Sequence, residues 1–164
     1  MSDFPSAIEA FELQRVAQAE RHGFALFAIR GSDCCPPFVY SIGMAQRELP
    51  EVLTFAPSDD FLDRSAAMTA QLCGAFVEGI DRGLDRIQLI RAFLARPLIV
   101  RDPTVTYDVE YLRDGDFTAA LRGYVTRAAR YRERLGMPRG VLAIRPPELP
   151  TFQRIRASEA LSMS

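Results

Sequence analysis

The chain has no tryptophan and no lysine, one histidine and three cysteines. Each scarcity removes a class of chemistry. A single imidazole, His22, cannot supply a histidine-rich zinc set, and Cys34, Cys35 and Cys73 contain no C-x-x-C spacing. An odd count, with two cysteines adjacent where a mutual disulfide forces a strained ring, argues for reduced thiols. No metal is expected. No stretch approaches the roughly 20 apolar residues that span a bilayer, and Met1-Ser2-Asp3-Phe4-Pro5 has neither a basic nor an apolar leader region. The expected location is the cytoplasm, with no membrane partner. G-x-G-x-x-G and the phosphate-loop pattern are both missing, which removes the two commonest nucleotide signatures.

What remains is an ordinary globular composition of 164 residues, 48% hydrophobic and 25% charged. That length and composition fit a single domain over residues 1–156, with 157–164 as a flexible tail that has little to bury. All 20 basic residues are arginine, a bias that fits a GC-rich genome. Residues 1–81 hold 5 arginines against 12 acids, and residues 82–164 hold 15 against 9. Arg127, Arg130 and Arg134 share a helical stripe that resembles a phosphate-binding face, but with a net charge of −1 it reads as a solvated outer face. Nucleic acid is therefore not an expected partner.

Ser6-Ala7-Ile8-Glu9 is a capping box that opens a helix over 6–21, and His22-Gly23 stops it. Residues 24–30, 38–44 and 52–56 are short β-favouring runs with brief loops between them, so they read as mostly antiparallel strands. Ser58-Asp59-Asp60 opens a second helix over 58–78, with Leu62, Ala66, Thr69, Leu72, Cys73 and Phe76 as its buried stripe. Period-two alternation marks a strand at 104–111, while 87–93 and 98–101 read as two further strands around Pro97. A third helix spans 116–135, and 140–145 is a last strand. Three helices among six or seven short strands without βαβ alternation give an α+β fold with a largely antiparallel, barrel-like sheet.

Four residues are candidates for a ligand site: His22, Tyr40, Ser41 and Glu51. His22 has the chemistry of a general base or phosphate partner, and it equally suits the C-terminus of a helix, where the dipole favours a cation. Tyr40 and Ser41 are strand neighbours on opposite faces, so only one of them lines a given cavity. Tyr40 either pairs with His22 or fills the core. Glu51 either binds a donor from a ligand or makes a surface ion pair. Gly43 in a strand signals a bulge or a close backbone approach. Cys34-Cys35 is an exposed redox candidate.

The segments His22-Gly23-Phe24, Pro36-Pro37-Phe38-Val39-Tyr40-Ser41-Ile42-Gly43-Met44 and Leu49-Pro50-Glu51-Val52 resemble, in order and spacing, the bacterial domain of unknown function numbered four-two-six-two. Phe24 stands where that family has tryptophan, Ser41 where it has threonine, Met44 and Val52 where it has leucine. The resemblance implies a bacterial source and no particular activity. The expected function is a non-catalytic module that binds a partner protein or a small molecule, and a homodimer stays open. The alternative is a small enzyme or a cofactor binder, for flavin or nucleotide, with a pocket around His22 and Tyr40. Flavin-binding split barrels are the fold-level analogy.

Overall fold

The computed structural model describes residues 6–33, 36–95, 98–100, 105–113, 134–136 and 140–146. Helix α1, Ala7–His22, begins with the capping box: Glu9 N–H donates to Ser6 Oγ, and Ser6 N–H donates to Glu9 Oε2. It ends at Gly23, whose left-handed backbone lets its N–H reach Ala19 O at 2.8 Å. Strands β1 (Ala25–Ile29), β2 (Phe38–Ile42) and β3 (Glu51–Phe55) follow as an antiparallel meander. Every residue of β2 and β3 is buried, because helices cover both faces of this part of the sheet.

Helix α2 covers Leu62–Asp81 and buries Ser65, Thr69, Cys73, Phe76 and Val77, close to the expected stripe but rotated toward Ser65 and Val77. It closes with Gly83 in the left-handed region, Gly83 N–H on Ile80 O and Leu84 N–H on Gly79 O, which is a Schellman ending. Residues 87–93, expected as a strand, belong instead to helix α3, Arg86–Leu94. Asp85 caps it by accepting Gln88 N–H at 2.9 Å, and Leu89 and Phe93, one turn apart, pack inward. An apolar run this short fits either period, and the cap together with the i, i+4 pair decides for the helix.

Strands β4 (Leu98–Val100), β5 (Val105–Arg113) and β6 (Gly140–Arg145) complete a six-stranded sheet in the order β1-β2-β3-β6-β5-β4. All pairs are antiparallel except β3 with β6, which run parallel. Among the described residues the sheet is open, with β1 and β4 at its two edges, which corrects the barrel-like expectation. Closure needs a pairing between the two edge strands, and β6, inserted beside β3, extends the sheet outward instead. The α+β class stands. Of the third expected helix, Arg134 and Leu135 are helical, and its remainder lies outside the described residues, as do Cys34, Cys35 and the 157–164 tail.

The sheet divides two cores. On one face α1 packs Val16 and Ala19 onto Phe27, Phe38, Tyr40, Leu53 and Phe55. On the other, Cys73, Phe76 and Val77 of α2 and the apolar side of α3 cover Val52, Leu142 and Ile144. No helix among the described residues is long and apolar enough to cross a membrane.

Candidate functional site

The strand alternation that separates Tyr40 from Ser41 places them in different cores. Tyr40 lies on the α1 side, buried, its ring stacked on Phe27 at 5.3 Å between centroids. Phe27 in turn meets the edge of the Phe11 ring at 5.9 Å, and the Arg15 guanidinium lies over Phe11 at 4.9 Å. These residues line an open groove of about 710 Å³, together with Glu12 of α1, Leu26, Ala28 and Ile29 of β1, and Ala66 and Ala70 of α2. The volume is that of an ordinary ligand pocket.

The groove's position sets it apart from a pocket within one core. It is lined from both faces of β1: Phe27 and Tyr40 lie on the α1 side, whereas Leu26 packs with the α2-side core and Ala66 and Ala70 form the α2 wall. Among the described residues no strand pairs with the outer edge of β1. One wall is aromatic and the other is built of alanines. Phe11 is 45% exposed and shows part of its ring to the groove. Glu12 is only 6% exposed, a carboxylate set into an apolar helix face.

Ser41 and Glu51 meet on the opposite side of the sheet. Ser41 Oγ donates to Glu51 Oε2 at 2.6 Å and accepts Val52 N–H at 2.8 Å. Glu51 Oε1 accepts Ala45 N–H at 3.2 Å. Burial pushes the Glu51 carboxyl up to about 7 even though the Ser41 hydroxyl and the neighbouring backbone amides favour its charged form. Cys73 of α2 is fully buried; burial, and then the Glu51 charge, push its thiol well above the usual range. The surface ion pair expected for Glu51 is thus replaced by a buried network.

The backbone around this pair is a junction. The 3-10 turn Met44–Arg47 begins at Gly43 (φ 99°), where a Cβ would lie 2.9 Å from Ala19 Cβ and 3.0 Å from Gly23 O. The close approach expected of that glycine is therefore present. Gln46 Nε2 donates to Ala19 O and Gly43 O, Arg47 pairs with Asp81 at 2.9 Å, and Arg86 pairs with Glu48 at 2.8 Å. One short turn thus ties down the ends of α1 and α2 and the start of α3.

Of the four expected site residues, the structure brings Ser41 and Glu51 into contact. Tyr40 lines the β1 groove across the sheet from them, and His22 is exposed at the end of α1, outside the groove lining. The sequence does not mark Phe11, Glu12, Arg15 and Phe27 as site residues. The one available signal was Glu12, an acid on the same helical stripe as Val16 and Ala19. Among the described residues no group of three or more His, Cys, Asp or Glu side chains is placed to hold a metal ion. Comparison with protein-family models, with curated proteins and with solved structures gives no match.

Proposed function

We propose that this domain is a non-catalytic binding module that takes up an extended peptide segment of a partner protein along the β1 edge. The observation that carries the reading is a ligand-sized groove lined from both faces of an edge strand. A peptide added to such an edge receives main-chain hydrogen bonds from it, and its alternate side chains fall to either face. Here one set meets Phe11, Phe27 and Tyr40, which suits a large apolar or aromatic residue. The other set meets Ala66 and Ala70, which leave room for a medium-sized one.

A second reading, a small aromatic molecule held by the α1-side wall alone, is favoured by the cluster of three rings beside Glu12 and Arg15. An enzymatic role for the Ser41–Glu51 pair is disfavoured, since the two side chains are 2% and 8% exposed and a substrate has no access to them. The test is selection from a random peptide library displayed on phage, followed by calorimetry with the selected sequence. Ala70→Leu, which fills the α2 wall, and Phe11→Ala, which removes the aromatic one, should each weaken binding at least tenfold. Peptides that bind both variants as well as wild type contradict the assignment. A small aromatic molecule that is displaced by Phe11→Ala but indifferent to Ala70→Leu supports the second reading.

A further inference from the structure

We infer that the segment received along β1 carries an acidic side chain, an aspartate or a glutamate, whose carboxylate is bound by Arg15 beside the aromatic wall. This rests on the reading of the groove given above and specifies the chemistry of its occupant. It starts from the way one guanidinium is held. Arg15 of α1 lines the groove, half-buried, with its guanidinium 4.9 Å from the centre of the Phe11 ring. Its Nη1 donates to Gln18 Oε1, one turn further along the helix, at 3.1 Å. Two contacts from its own helix thus fix a side chain with many rotamers, so less freedom is lost when a ligand binds to it.

Arginine has five N–H donors and keeps its charge throughout the physiological range. Gln18 is a neutral acceptor and leaves most of those donors unused. Elsewhere in the chain the partly buried arginines are matched with acids: Arg47 with Asp81, Arg86 with Glu48, and Arg145 with Glu110. Among the described residues Arg15 is the partly buried arginine with no carboxylate partner, and it is the one that lines the groove. Glu12, three residues earlier and only 6% exposed, takes none of its donors.

A strand added to β1 sends alternate side chains to the α1 side. One of these meets Phe11, Phe27 and Tyr40, and its neighbour on the same face, two residues away, comes beside Arg15. The rings shield that flank from water, which strengthens a charge-assisted hydrogen bond over one made in open solvent. The expected recognition sequence therefore sets an acid two positions from an aromatic or large apolar residue. On the other face the groove is walled by Ala66 and Ala70, which offer a carboxylate no donor.

Peptide selection and calorimetry on the full chain test the assignment. Sequences selected from the random library should be enriched in aspartate or glutamate at that spacing. Exchanging the acid for its amide, Asp for Asn or Glu for Gln, should weaken binding to the wild-type protein about tenfold or more, whereas Arg15→Gln, checked for folding by circular dichroism, should bind the two peptides equally weakly. Selection on Arg15→Glu should replace the acid by arginine or lysine. Peptides that lose affinity with Phe11→Ala and Ala70→Leu but tolerate loss of the acid leave the groove reading standing and overturn the role of Arg15. So does a peptide that responds to amidation of its C-terminus and not to loss of its acidic side chain. Peptides indifferent to both Phe11→Ala and Ala70→Leu overturn the groove reading and this inference together. If the Arg15 variants do not fold, the acid-to-amide comparison on the wild-type protein decides alone.

Discussion

Glu51 is the residue whose sequence context says least about its environment. A glutamate after a proline at the start of a strand usually faces water, and nothing in Leu49-Pro50-Glu51-Val52 marks it as buried. The information lies in its partners: the Ser41 hydroxyl ten residues earlier and the Ala45 amide of the intervening turn, which only the folded chain assembles. Its protonation also has a thermodynamic signature. The folded state raises the carboxyl from 4.5 to about 7, so the folded chain binds this proton more tightly than the unfolded chain does. The contribution to stability is fully present below about pH 4.5 and is lost as pH rises through 7, by up to about 3 kcal/mol. Glu51→Gln, a permanent mimic of the neutral acid, should remove that slope. Urea unfolding of both proteins at acidic and mildly alkaline pH reads the difference, in which the other carboxylates cancel. A wild-type-minus-variant difference that stays flat with pH contradicts the raised carboxyl.

Gly43 poses the opposite case, since its importance is visible in sequence and its reason is not. A glycine at the end of a strand pattern announces a special backbone, and the structure supplies two independent requirements, a positive φ and contact with α1. Gly43→Ala should therefore destabilise the fold by about 1–3 kcal/mol, seen as a fall in the urea midpoint.

At the scale of elements, legibility followed local chemistry. Helix α1 was fully readable, because the Ser6–Glu9 box and Gly23 are contiguous signals that act within one turn. Helix α3 was not: Ile87-Gln88-Leu89-Ile90 is rich in β-branched and apolar residues, and the decisive cap, Asp85, follows the Schellman ending of α2 so closely that the two signals overlap. The helix rests on that cap and on two inward side chains. Asp85→Ala should accordingly cost about 1 kcal/mol and lower the helical circular-dichroism signal slightly; a variant with unchanged stability removes the cap from the account. The same logic applies to the groove walls. Phe11 is half exposed, so Phe11→Ala should lower stability by less than about 1 kcal/mol, well short of the 3–5 kcal/mol of a buried phenylalanine. Loss of peptide binding in that variant therefore reports the groove and not unfolding.

At the scale of the molecule, the α+β class followed from counting elements, whereas the order of the strands did not. Periodicity says which residues form a strand and which face they bury; it is silent on neighbours. The parallel insertion of β6 between β3 and β5 depends on contacts between residues some 90 positions apart, such as Glu51 with Val141. Among the described residues that insertion leaves β1 and β4 at the edges, and the groove is lined by residues on both faces of β1. A barrel would have had no such edge to offer. The site was thus hidden for the same reason as the topology: its walls come from α1, β1, β2 and α2, whose adjacency no local pattern encodes.

The central claim, that an extended peptide adds to β1, is tested most directly by residue-resolved amide hydrogen exchange with and without a library-selected peptide. Strand addition predicts new protection at alternate amides within Ala25–Ile29, those that point away from β2, with the amides already paired to β2 unchanged. Protection that appears instead around the exposed Leu84, Ile87 and Leu94 side chains, with β1 unaltered, contradicts it.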